Sequence, residues 1–398
     1  MNTIVKIDNP CILIINGGSS TIKFALYTAD KTITRLFHGK IDRIGLTNST
    51  LTYSFEGENQ KNTLQIYPSD NKMASTYLMN WLEKQVEFAS VKAVAHRIVH
   101  GMHHTEPEYI TPELLEELRQ IIPYDPDHLP NEIELIETFL QHYPKLKQIA
   151  CFDTAFHTTM PRVAKLLPIP RRFDTKGIQR YGFHGISYSY LMEELIRIEG
   201  TKAAHGRVIL AHLGNGASMA AVSEGKSIDT SMGFTPSGGL VMSSRSGDLD
   251  PGVAWYMMQS ENLTPKQFNH LINHESGLLG VSETSSDMHD LLEQETTDYR
   301  AAEAVALFCY QAKKWVGAFV AALGGLDMLV FAGGIGENSP QIRSRICERL
   351  QCFGIELSEK LNNANAPVIS TDNSRVKIHV INTDEEWMMA KMVLQMLK

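Results

Sequence analysis

The chain has 398 residues, 43% of them hydrophobic and 21% charged, with a formal net charge of −8. That length exceeds what one hydrophobic core usually serves, so two domains are expected. The acidic balance excludes a large nucleic-acid surface and a basic membrane-binding tail, so an anionic ligand must be met by local clusters of Lys and Arg.

The first element, CILIINGGSSTIKFALYT at 11–28, is an apolar β-type run, a Gly/Asn/Ser turn and a second alternating strand. Small turn residues let backbone N–H groups approach an anion closely. Asn16, Ser19, Thr21 and Lys23 crowd this turn. Lys23 lies on the second strand, on the face opposite Ile22 and Phe24, so this is not a Walker A loop, whose lysine opens a helix. Alternating segments such as TLTYSFEGE then end near Glu58, helical periodicity covers 74–86, and an apolar strand occupies 91–100. Helices at 111–122 and 131–142 precede the strand KQIACFD. Arg97 interrupts the apolar strand, and a charge in such a run is paired or lines a cleft. Asp153 closes KQIACFD at the carboxyl end, where open α/β sheets place functional groups.

The second half opens with a helix at 187–198 and a hairpin at 207–226, RVILAHLGNGASMAAVSEGK, that repeats the first hairpin's pattern. Its turn contributes Gly214, Asn215 and Gly216. Two such hairpins indicate a duplicated nucleotide-binding domain that grips phosphates from both sides, with the ligand in a cleft between the halves. A loop-rich stretch at 229–252 leads to helices around 251–260, 264–273 and 300–323. DMLVFAGG is a buried strand feeding a Gly turn and a helix with Asn338 or Ser339 as cap and Pro340 in its first turn. FAGGIGENSP lacks the third glycine of a dinucleotide fingerprint, but its glycines allow a nucleoside or phosphate against the backbone. The strand VKIHVIN and a helix at 384–397 complete the chain. His184 and Arg245 also fit ordinary structural roles, as a hydrogen-bonding histidine and as an arginine bridged to Asp248 or Asp250. Glu385 and Glu386 likewise suit a helix start for dipole reasons alone. The histidines of HRIVHGMHH match no zinc spacing.

Five cysteines are scattered, odd in number and without C-x-x-C spacing, as expected of reduced thiols. The N-terminal residues lead into a strand pattern rather than an apolar secretory segment. The apolar stretch at 300–323 is interrupted by Gln311, Lys313 and Lys314, too polar to span a bilayer. A cytoplasmic protein is expected, with neither membrane nor nucleic acid as partner.

The blocks NGGSSTIKF, HRIVHG, FDTAFHTTMP, RYGFHGIS, HLGNGAS, DTSMGFTP, SRSGDLDP, GGIGENSP and NTDEE, taken together, are similar to the acetate kinase family of short-chain carboxylate kinases. The resemblance implies an α/β, actin-like (ribonuclease H-like) duplicated fold with mixed sheets flanked by helices and the active site in the interdomain cleft. It implies one domain of 1–152 plus 386–398, another of 153–385, and a homodimer. The implied reaction is ATP + acetate ⇌ ADP + acetyl phosphate with Mg2+, Mn2+ being the alternative ion. By position, Asn16 and Glu385 would hold the metal. Lys23, Ser19, Thr21, His212, Leu213, Gly214, Asn215, Gly216, Asp287, Met288, His289, Gly334, Ile335, Gly336, Glu337 and Asn338 would surround the nucleotide. Arg97 would bind the substrate carboxylate, with Val99, Phe183 and Pro236 lining the alkyl pocket. Asp153 would be the acid/base or metal-organising carboxylate, and His184 and Arg245 would stabilise the phosphoryl group in flight. The family's proline–leucine–histidine–asparagine stretch reads PYDPDHLP here, with Tyr124 and Asp125 at the leucine and histidine and His128 nearby. His289 replaces an arginine, Tyr188 a histidine and Met102 a glycine. Propionate or butyrate as the acid, or a non-catalytic actin-like ATPase module, are the alternatives.

Overall fold

A computed structural model describes residues 9–18, 20–57 and 61–398, so Ser19 and Glu58 lie outside the described residues. The chain divides into two compact units, 1–155 with 384–398 and 156–383. Asp153 and Glu385, which the sequence-based boundaries put in the second domain, thus belong to the first. The Asp153 amide continues a strand ladder by donating to the Ile98 carbonyl at 2.9 Å, and the helix that starts at Glu385 packs on the first unit's sheet.

In the first unit β1 (Cys11–Gly17), β2 (Thr21–Thr28), β3 (Arg35–Asp42), β4 (Thr50–Phe55), β5 (Asn62–Gln65), β6 (Val91–Ile98), β7 (Glu108–Tyr109) and β8 (Lys147–Phe152) form one sheet, ordered β5-β4-β3-β2-β1-β6-β8-β7. β1, β6 and β8 run parallel and β1 to β5 antiparallel. Strand side chains alternate between faces. Cys11, Leu13, Ile15, Ile22 and Phe24 therefore join one core with Leu78 and Leu82 of the helix Asn71–Gln85 and Leu135 and Phe139 of the helix Leu129–His142. Ile98, Ala150 and Phe152 form a second cluster against the helices Pro112–Gln120 and Leu129–His142. The C-terminal helix Glu385–Met396 packs on β1, β2, β6 and β8.

In the second unit β9 (Arg207–Leu213), β10 (Ala217–Ser223), β11 (Lys226–Thr230), β12 (Met328–Ala332) and β13 (Lys377–Val380) are ordered β11-β10-β9-β12-β13. β9, β12 and β13 are parallel, and β9, β10 and β11 antiparallel. This is the order and sense of β3-β2-β1-β6-β8, so the expected duplication is present as one five-strand plan built twice. Val208, Leu210, Ala220, Val222 and Val330 pack with Tyr188, Leu191 and Leu195 of the helix Gly185–Glu199. The helix Tyr299–Leu323, capped by Asp298 and stopped by Gly324 at φ 68°, packs on β9 and β10. No helix among the described residues is long and apolar enough to cross a membrane.

The helices at 74–86, 111–122, 131–142, 187–198, 251–260, 264–273 and 300–323 are present within a few residues of their expected spans. The expected Gly turn after β12 is instead a short helix, Gly333–Asn338, that runs straight into the helix Pro340–Cys347. Ser339 is the cap residue of the latter, without a side-chain cap bond.

Candidate active site

In the first unit four polar side chains converge at the carboxyl ends of β1, β6 and β8. Asn16 ends β1 on the face opposite Leu13 and Ile15, and Arg97 occupies the same face of β6, opposite Val94 and Ile98. Asp153 follows β8 with the parity opposite Phe152. The Arg97 guanidinium donates through one terminal nitrogen to Asp153 Oδ2 at 2.5 Å and through the other to Asn16 Oδ1 at 3.4 Å. Asn16 Nδ2 donates to Glu385 Oε2 at 3.3 Å. Asp153 is wholly buried. Burial disfavours the Arg97 charge, but Asp153 and then Glu385 outweigh it and hold the guanidinium above its ordinary pKa. Arg97 Nε is buried without a protein acceptor.

Glu385 is placed by helix chemistry. Asp384 is the N-cap, its carboxylate accepting from the Trp387 amide at 2.8 Å and from the Tyr27 hydroxyl at 3.3 Å. Antiparallel register sets Lys23 directly across from Asn16, exposed and on the same face. Lys23 also opposes the upward shift that burial imposes on the Glu386 carboxyl. Thr21 is turned to Asp42, to which its hydroxyl donates at 3.2 Å. Val99 is buried, and its amide donates to both oxygens of Glu132 at 3.2 Å. Glu132 was not foreseen from sequence, where it reads as an ordinary helix-start acid. Burial and then Asp125 raise its pKa well above the usual range, against the pull of Arg97. Asp125 is itself buried and accepts from His128 Nδ1 at 2.8 Å.

The second unit holds a separate constellation around the β9–β10 turn. His184 precedes the helix Gly185–Glu199 in the left-handed region at φ 58°, a conformation that costs a non-glycine residue on the order of 1 kcal/mol. Its Nδ1 shares a hydrogen bond with Ser218 Oγ at 2.8 Å, and its ring stacks on His212 with centroids 4.3 Å apart. His212 Nδ1 in turn meets Ser187 Oγ at 2.8 Å. A Cβ on Gly216 would lie 3.3 Å from His184 Nε2 and 3.8 Å from an Arg245 terminal nitrogen. The bare glycine thus keeps open the space that both side chains border. Arg245 donates to the Pro236 carbonyl at 3.3 Å. Asp248 and Asp250 accept instead from the amides of Gly239 and Gly252.

Gly214 and Gly334 approach one another, with the Gly334 amide 3.7 Å from where a Gly214 Cβ would stand. Asn215 accepts at its carbonyl from the Ser243 amide, at 3.1 Å. Glu337 accepts from the amides of Gly333 and Thr383 at 2.9 and 3.1 Å, and Asn338 donates to the Gly334 carbonyl. Leu213 and Gly336 are buried, Ile335 is partly so, and Phe183 is buried with its carbonyl against His157 Nε2 at 3.0 Å. The Asp287 carboxylate caps the helix Met288–Gln294 by accepting from the His289 amide at 2.8 Å. Met288 is buried and the His289 ring is largely exposed, 3.7 Å from Glu293. Ser187 and Ser218, which hold the two histidines, were missed although Ser218 closes the HLGNGAS block.

Asn16 Oδ1 and the Glu385 carboxylate are hard oxygen donors in one partly buried corner. This suits a small divalent cation that keeps waters and phosphate oxygens as its other ligands. In the same unit the neighbouring groups favour anions: a partly buried guanidinium with an unused N–H and a lysine across the ladder. In the second unit, taken by itself, an arginine lies beside two stacked imidazoles.

Residues 11–391 match the Acetokinase family. The chain is 40% identical to an acetate kinase of Methylocella silvestris, over 97% of this chain and 98% of that one. It is also 40% identical to a propionate kinase of Citrobacter rodentium, over 96% of each. The crystal structure of Porphyromonas gingivalis acetate kinase superposes with a TM-score of 0.87 at 36% identity, over 98% of this chain and all of that one. The sequence blocks, the twice-built sheet and these likenesses agree: the chain belongs to the acetokinase family of ATP-using, divalent-metal-dependent phosphotransferases with a carboxyl group as acceptor.

Proposed function

We propose that the chain catalyses ATP + acetate ⇌ ADP + acetyl phosphate with Mg2+, in the cytoplasm and as a homodimer. The observation that carries the acceptor assignment is Arg97, a partly buried arginine whose buried Nε–H lacks a protein acceptor. A carboxylate fits a planar guanidinium fork better than any neutral ligand does. The five cysteines, all free and four of them buried, accord with a reducing compartment.

The substrate carboxylate is already a nucleophile, so no proton need be removed from it. One oxygen forms the new bond to the γ-phosphorus while the bond to the ADP oxygen breaks, and the total charge of the anions is unchanged. The barrier lies in bringing two anions together and in stabilising the equatorial phosphoryl oxygens. In this reading Asp153 does not act as a base. Its 2.5 Å contact holds the Arg97 fork in orientation. Val99, Phe183 and Pro236 offer apolar surface to the alkyl group. His184 and Arg245 supply donors to the transferring group, with Ser218 holding the histidine. Lys23 and the two glycine turns contact the phosphates of the nucleotide. Asn16 and Glu385 would hold Mg2+, which neutralises phosphate charge when bound.

A hydroxamate assay for acyl phosphate, run with ATP and acetate, propionate or butyrate, tests the proposal. Acetate is expected to give the highest kcat/KM. A higher value with propionate would transfer the assignment to that acid, which the Citrobacter relative's name also suggests. Absence of product with every acid would leave a non-catalytic nucleotide-binding module.

A further inference from the structure

We propose that His103, His104 and Glu117 form a second metal site, for a divalent transition-metal ion such as Zn2+, on the first unit. In sequence these residues show no zinc spacing, because Glu117 comes from the helix Pro112–Gln120 and the histidines from the loop after β6. The fold brings them together. The loop turns tightly, with the His104 amide donating to the Gly101 carbonyl at 2.9 Å and Met102 at φ 50°. The turn stacks the two imidazoles with centroids 4.4 Å apart, and the His104 ring lies flat on Phe152 at 4.8 Å.

His104 is the anchor. Its Nδ1 meets Glu108 Oε1 at 2.7 Å, which leaves Nε2 facing Glu117 Oε2 at 3.3 Å. A carboxylate on the far nitrogen is the usual support of a metal-bound histidine, fixing its tautomer and aim. Ligand atoms of all three residues lie within 4.8 Å of one another. A tetrahedral ion with bonds of about 2.0–2.1 Å separates its ligand atoms by roughly 3.3 Å. The His104–Glu117 pair already has that separation. His103 and Glu117 are exposed and free to turn by the remaining distance, while His104 is held between Phe152 and Glu108. Two imidazoles and one carboxylate select Zn2+, Co2+ or Ni2+ over Mg2+, which takes oxygen ligands in an octahedron. The site is thus chemically distinct from the Asn16 and Glu385 oxygens. A bound ion would clamp the loop to the helix Pro112–Gln120, directly over the residue that precedes Asp153.

The competing reading is an imidazolium held between two glutamates, in which His103 has no part. Calorimetric titration of the full chain with Zn2+ under excess Mg2+, in a Cys352→Ser background that removes the exposed thiol, separates the two. One equivalent is expected to bind, with Co2+ giving visible absorption of nitrogen-ligated, tetrahedral type. His103→Ala and Glu117→Gln are each expected to weaken binding at least about tenfold, and Glu108→Gln by about 10–100-fold. These side chains are at the surface, so circular dichroism should show the variants folded. No saturable binding by the parent, or equal binding by His103→Ala and Glu117→Gln, would overturn the proposal.

Discussion

Arg97 shows how one residue links fold energetics to chemistry. A largely enclosed guanidinium is tolerated because Asp153 and Asn16 meet it, and removing it strands the fully buried Asp153 carboxylate, at a cost of up to about 3–5 kcal/mol. Arg97→Ala should therefore lower the urea midpoint as well as activity. Arg97→Lys keeps the charge but not the planar fork, so kcat/KM for the acid should fall about 10²-fold while KM for ATP stays near its parent value. An Arg97→Lys enzyme with parental kcat/KM would exclude the carboxylate role. His184→Ala or Arg245→Ala should cut turnover by about 10²–10⁴-fold in folded protein. Near-normal single-turnover rates would remove them from the transition state. Glu132 is a different case. Its pKa is raised, so its native form favours the proton, and its contribution to stability is present at low pH and is lost as pH rises past the ordinary carboxyl value of 4.5. Gln mimics the protonated form and still accepts from Val99, so Glu132→Gln should flatten the alkaline side of the stability profile. An unchanged profile would refute this.

At the scale of elements, the C-terminal helix and the glycine segment after β12 position the site more than their sequences announce. Asp384 caps the helix that carries Glu385 and also accepts from Tyr27. Asp384→Ala should cost about 1 kcal/mol from the lost cap, with a larger proportional loss in activation by Mg2+, because the cap sets where Glu385 points. If Mg2+ activation is unchanged while the melting temperature drops, the cap is structural only. Gly333 sits at φ 75°, and a Cβ there would come within 2.7 Å of the Leu213 carbonyl. Gly333→Ala is expected to destabilise by at least about 1–3 kcal/mol, since the Leu213 backbone it would meet belongs to β9 and cannot easily shift. The sequence reading placed the long amphipathic helices and both hairpins because their apolar periods are set locally. It overlooked β5 and β7, which are only four and two residues long and in which polar residues such as Asn62, Gln65 and Glu108 leave no alternation to read. The Gly333–Asn338 helix was also misread, because three glycines argue locally for a turn and tertiary packing on β9 and β12 overrides them.

For the molecule as a whole, each unit carries a buried histidine held neutral by its surroundings, His96 in the first and His157 in the second. Burial lowers the pKa of His96 to about 4 in the first unit and that of His157 to about 4 in the second, from 6.5. The unfolded chain then binds more protons than the native one below pH 6.5, so stability is full above that value and is lost as pH falls toward 4. Each histidine accounts for on the order of 3 kcal/mol across that window. Urea midpoints should fall steadily between about pH 7 and about pH 5, and a flat midpoint would contradict the buried neutral state.

By itself the sequence determined the α/β class, the duplication, the family and the chemistry of the candidate groups. Those features reside in local period, turn composition and residue type, which need no distant partner to be read. Only the tertiary structure decided which groups meet. Strand parity and parallel register bring Asn16, Arg97 and Asp153 to one sheet face from three separate strands, and a helix more than 200 residues later in the chain adds Glu385. The same holds for the carboxyl of Glu132 beneath Val99, and for Glu117 beside His103 and His104. Side-chain proximity across 13 to 369 positions of chain is a property of packing, and local spacing carries no record of it.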